Sequence, residues 1–143
     1  MIRIRLGALA LAASAIPAAA QEVTDCDGFR GSARNVDWTY PTRTYANGDV
    51  RLVALDVGEP ALAARHLMVL LPDPEMGFQT CALVSRFRGS GWAGMALRDA
   101  TAAYDPATGL VIRVPVTTGE DGTFRGETLT VTVNQQSGVV TAE

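Results

Sequence analysis

The sequence predicts an all-β fold: a compact antiparallel β-sandwich or barrel of about seven or eight strands. Three observations predict it. Short apolar stretches alternate with turn signals such as Asn47-Gly48, Asp105-Pro106-Ala107-Thr108-Gly109 and Gly119-Glu120-Asp121-Gly122. That rhythm of brief strands and frequent turns is the pattern of sandwiches and barrels. Several stretches alternate with period two, most cleanly Leu110, Ile112, Val114 and Val116, which marks a half-buried strand. Only residues 58–65, with Pro60 near the first position, offer a helical turn after the N-terminal segment.

The N-terminal segment is read separately. Arg3 and Arg5 precede an uncharged run from Leu6 to Ile16, and Ala18 and Ala20 supply a small-x-small cleavage pattern. The run is too short to span a bilayer. Residues 1–20 are therefore expected to be a secretory signal peptide cut after Ala20, followed by a single β domain over residues 21–143. Cys26 is not preceded by the small apolar residues of a lipid-anchor motif, and no later apolar stretch is long enough to span. The expected product is soluble, periplasmic or secreted.

Charge narrows the partners. The full chain carries 12 basic and 15 acidic residues, for a net charge of −3. Without Arg3 and Arg5 the balance is −5, and a mildly acidic domain is a poor match for nucleic acid or anionic membrane. Every basic residue is Arg, which suits a GC-rich genome and also allows bidentate grips on carboxylate or phosphate.

The two cysteines, Cys26 and Cys81, are expected to form one disulfide, as an even count in an exported domain suggests. The loop-entropy model assigns such a bridge about 4 kcal/mol. The C-x-x-C spacing of a thiolate metal site or redox dithiol is absent.

The elements follow in order. Asn47-Gly48 accepts the positive φ of a type I′ hairpin turn, pairing Tyr45 with Val50, Tyr40 with Leu55 and Trp38 with Val57. Trp38, Tyr40, Val53, Leu55 and Val57 would then share the inner face, and Pro41 calls for an edge strand or a bulge. Leu67–Leu71 reads as a strand buried on both faces. From Thr80 to Arg88, Cys81, Leu83 and Phe87 would point inward and Arg86 and Arg88 outward. Trp92–Tyr104 reads as a weak, alanine-rich strand. Leu129, Val131 and Val133 would face in while Thr128, Thr130 and Thr132 face out, and Gln135–Gly138 turns the chain toward Val139-Val140-Thr141.

Candidate chemistry is sparse. His66 is the sole histidine, so any nucleophilic triad would have to use it, and no G-x-S-x-G elbow surrounds a serine. His66 and Met68 would project from one strand face, a soft pair suited to Cu(I). His-Leu-Met-Val-Leu-Leu resembles the His-x-Met segment of small periplasmic copper carriers with β-barrel folds. That resemblance covers six residues and implies a carrier using His66 and Met68, with Met76 or Met95 as further ligands. The chain departs from it in lacking a second histidine. The carboxylate pairs Asp25/Asp27, Asp73/Glu75 and Glu120/Asp121 sit in turns, where they serve as turn-formers, and a small carboxylate-dependent hydrolase would need one pair to share a cleft. Arg86, Arg88, Arg98, Arg113 and Arg125 can gather into an anion-binding stripe on the outward face, with Asp99 and Glu127 interspersed. Tyr45, opposite in parity to the aromatic pair, would be exposed. No cofactor motif is present. The expected function is a non-catalytic exported binding module that contacts a protein or envelope component through an exposed β face.

Overall fold

The computed structural model describes residues 20–143; the signal-peptide reading falls on residues outside that range except at Ala20. Two antiparallel five-stranded sheets face each other as an all-β sandwich. The strands are β1 (Glu22–Thr24), β2 (Thr42–Tyr45), β3 (Val50–Asp56), β4 (Arg65–Pro72), β5 (Gln79–Ser85), β6 (Gly94–Met95), β7 (Thr101–Asp105), β8 (Gly109–Glu120), β9 (Thr123–Asn134) and β10 (Val139–Ala142). The first sheet runs β1-β5-β4-β3-β2. The second runs β10-β9-β8-β6, with β7 also on the free edge of β8. Only short 3-10 turns interrupt the strands, including Ala61–Ala63 where a helical turn was expected.

The core lies between the sheets. Val50, Leu52 and Ala54 meet Leu67, Val69, Leu71 and Val84 from the first sheet; Ile112, Val114, Val116, Leu129, Val131 and Val133 come from the second. Trp92 and Leu97 belong to this cluster as well. The alternation expected for β8 and β9 holds. On β3 the expected face is reversed: even-numbered residues point into the core. Leu55 is nonetheless fully buried on the other side.

That second burial has a physical cause. The chain between Cys26 and Asp37 crosses the outer face of the first sheet as a strap. The Cys26–Cys81 disulfide ties its start to β5. Its end joins β3 through the Val36–Leu55 bridge and the Asp37 N–H to Ala54 carbonyl bond of 2.9 Å. Beneath it Leu55, His66, Leu83 and Ser85 are buried although they face away from the main core. Cys81 and Leu83 thus point to the strap rather than into the sandwich, and Phe87 lies exposed in the turn beyond β5.

The segment read as one strand over residues 92–104 is broken. β6 and β7 flank a 3-10 turn at Leu97–Asp99. The break lies opposite Pro115, whose carbonyl accepts from the Ala96 N–H at 2.9 Å. In an antiparallel ladder a residue's N–H and C=O face the same neighbour. Pro115 therefore withholds a donor on the side where the partner strand leaves the ladder.

Candidate functional site

Pro41 shapes the most distinctive surface. The hairpin register is the expected one from Tyr45↔Val50 to Thr42↔Val53, with Asn47 and Gly48 at positive φ. The Ala54 N–H still donates to the Pro41 carbonyl at 2.9 Å. Pro41 has no N–H to return. The Asp37 N–H supplies the bond to the Ala54 carbonyl instead, and Leu55 pairs with Val36 rather than Tyr40. The register slips by four residues (from Tyr40 to Val36 opposite Leu55), and Trp38, Thr39 and Tyr40 are extruded. Trp38 is 77% exposed and Tyr40 51%, against the expectation that both lie in the core.

The extruded segment forms one wall of a cleft of about 360 Å³. Asp37, Tyr40 and Arg65 line it together with residues 94–99 of β6 and the following turn. Arg65 is held by ion pairs to Asp37 and, at 3.0 Å, to Asp56. Arg98 lies over the Tyr40 ring at 4.9 Å, donates to the Tyr40 hydroxyl at 3.2 Å and pairs with Asp99 at 3.4 Å. The hydrogen bond to Asp99, with Tyr40 beside it, raises the already high pKa of Arg98, so it is a fixed cation. The cleft offers an aromatic face, a guanidinium and carboxylates within an apolar floor at Met95 and Leu97, the mixture found at ligand-anchoring sites.

The other arginines do not gather into one stripe. Arg125 lies on β9 with the parity of Leu129 and Val131, so it faces the inner side where that hairpin outruns the core. There it lines a separate cleft of about 260 Å³ with Arg86, Glu120, Asp121 and Glu127. Glu127 accepts from the buried Thr118 hydroxyl at 3.1 Å. Arg88 stacks on Phe87 at 4.9 Å, and Arg113 stands exposed on the outer face of β8. Asp99, expected among the arginines of that stripe, lies in the turn before β7 and pairs with Arg98. Tyr45 is half-buried against the core, its hydroxyl 3.5 Å from the Ala100 carbonyl, rather than exposed.

His66 and Met68 do share the outer face of β4. His66 is only 1% exposed, and its Nδ1 lies 2.9 Å from Ser85 Oγ. Burial, reinforced by the Arg30 guanidinium and only partly opposed by Glu22, lowers its pKa to about 4. The neutral ring is a structural partner of Ser85 under the strap. Met76 belongs to the loop at the far end of β4 and Met95 to the second sheet. Among the described residues no group of three or more His, Cys, Asp or Glu side chains could hold a metal ion. Asp25 and Asp73 accept from nearby backbone N–H groups, Asp27 at 3.0 Å and Met76 at 2.7 Å, as turn-formers do.

No protein family, curated protein or solved structure matches the chain. The fold and the cleft define an all-β sandwich, disulfide-tied, with an aromatic and arginine-bearing groove on one open side. Among the described residues no helix is long and apolar enough to cross a membrane.

Proposed function

We propose that this chain is a non-catalytic, exported binding module that holds a protein or cell-envelope component in the Tyr40–Arg98 cleft. One observation carries the reading. The fold extrudes Trp38 and Tyr40 into solvent and sets Tyr40 under the fixed Arg98 cation, although burying either aromatic would stabilise the domain by roughly 2 kcal/mol or more. Exposed Trp, Tyr and Arg are the residues that most often anchor interfaces. The Cys26–Cys81 disulfide and the leader pattern of residues 1–20 support export, since disulfides persist in oxidising compartments.

The test uses tryptophan emission. Trp38 is exposed whereas Trp92 is 1% exposed, so a ligand that covers the extruded segment next to Tyr40 changes the surroundings of Trp38 alone. Solubilised envelope proteins and peptidoglycan fragments are titrated into the purified protein. A saturable blue shift that is lost in Trp38→Phe emission, and binding that is weakened at least tenfold in Arg98→Ala, is expected. A component that binds equally well to Trp38→Ala and Arg98→Ala, or no saturable binding at all, overturns the reading.

A further inference from the structure

We infer that β7 is a dimerisation edge, and that a second copy of this chain extends the second sheet by pairing antiparallel with Thr101–Asp105. This inference stands apart from the cleft reading and uses different residues.

The sandwich protects its other free edges. β1 and β10 close one side, where the Gln21 N–H donates to the Ala142 carbonyl at 3.0 Å. β2 is four residues long, follows Pro41 and carries Arg43, whose guanidinium crosses to the Ala100 carbonyl at 3.1 Å. Short length, proline and charge are the usual guards against edge pairing. β7 carries Asp105 at its end and is followed by Pro106, but its two outward-facing positions, Ala102 and Tyr104, bear neither proline nor charge. Its residues are Thr-Ala-Ala-Tyr-Asp, all exposed, with Tyr104 at 69%.

The backbone dictates the register. On β8, the carbonyls of Pro115 and Thr117 face the β6–β7 side, accepting from Ala96 and Ala93. By alternation Gly109, Val111 and Arg113 face it too. Their partners Asp105, Ala103 and Thr101 therefore spend their backbone groups on β8. The N–H and C=O of Ala102 and Tyr104 point out to the free edge. A two-fold axis at Ala103 pairs Ala102 with Tyr104 of the second copy and Tyr104 with its Ala102, satisfying every outward group. An axis at Ala102 would need Ala100, whose carbonyl already accepts from Arg43. An axis at Tyr104 would place Ala102 against Pro106, which has no N–H.

Side chains agree with that register. Tyr104 lies across from Ala102, a large residue over a small one. On the opposite face Asp105 of the second copy falls beside Thr101, and Arg113 is the next residue in that row. Strand spacing puts Arg113 and that aspartate about 10 Å apart at Cα, within reach of an arginine side chain. Arg113 makes no ion pair within its own chain among the described residues.

Sedimentation velocity over a concentration series of the purified protein tests this. A concentration-dependent dimer is expected. Ala102→Pro removes an outward donor without touching the β8 ladder and should be monomeric throughout, with a far-UV spectrum like that of the parent. Arg113→Glu, an exposed substitution compatible with folding, sets like charges across the seam and should raise the dissociation constant about tenfold and reverse its salt dependence. A parent that stays monomeric at every concentration overturns the inference. So does a dimer unchanged by Arg113→Glu, whether or not the proline variant folds.

Discussion

On the outer face of the first sheet Leu55, His66, Leu83 and Ser85 are buried, while on the outer face of the second Arg113, Pro115 and Thr128 stand in solvent. Both sheets use the same alternation, and the difference lies in what crosses them. The strap from Cys26 to Asp37 covers the first, and nothing covers the second among the described residues. The first sheet therefore carries apolar residues on both parities of β4 and β5. In the second, β9 carries them on one parity, with Thr128, Thr130 and Thr132 on the other. A strap of some dozen residues with only short 3-10 turns cannot bury enough surface to hold itself, so its anchors matter more than its own contacts.

Removing the anchor is the strongest way to break this contrast. Cys26→Ser with Cys81→Ser should cost about 4 kcal/mol on the loop-entropy model, read as a lower urea midpoint. It should also make the first sheet's outer face exchange amide protons faster than the second's. Equal exchange on both faces would mean that the strap holds without its bridge.

Leu83→Ala comes next. It leaves a cavity under the strap and should cost about 3 kcal/mol, as a buried leucine in either core does. A loss below about 1 kcal/mol would show that the strap collapses into the gap.

His66 supplies a pH signature of the covered face. Its folded pKa is about 4, against about 6.5 for an unfolded histidine. Between those values the unfolded chain binds the proton and the folded one does not. The contribution is therefore fully present above pH 6.5 and is lost as pH falls toward 4, by at most about 3 kcal/mol. His66→Gln should flatten that part of the stability profile, measured by urea unfolding at successive pH values.

The smallest effect belongs to the bare face. Thr128→Ala on β9 should change stability by less than about 0.5 kcal/mol, because it removes neither a buried contact nor a hydrogen bond within the described residues. A larger loss would mean that this face is covered in the native assembly.

Much of the framework was legible along the chain. Alternation marked the inner faces of β8 and β9, Asn47-Gly48 marked the first hairpin and its register at Tyr45, and an even cysteine count marked the bridge. The site was legible only as a conflict. Pro41 predicts an edge strand or a bulge, and β2 is indeed an edge, but the same alternation assigns Trp38 and Tyr40 to the core, which their extrusion beyond Pro41 overturns. A missing N–H must be replaced by another donor, and the replacement, Asp37, lies upstream of both aromatics. Arg125 was misplaced for a different reason. Its parity follows Leu129 and Val131, but the hairpin outruns the core, so an inward position becomes the wall of a cleft.

The sequence by itself determined what depends on neighbours along the strand: which parity is apolar, where a turn needs positive φ, and where a proline withholds a donor. Only the tertiary structure decided which segment covers the second apolar face of β4, which residue replaces the donor that Pro41 lacks, and which edge of a sheet is left unguarded. Those outcomes depend on partners far apart in the chain, and local periodicity carries no record of them.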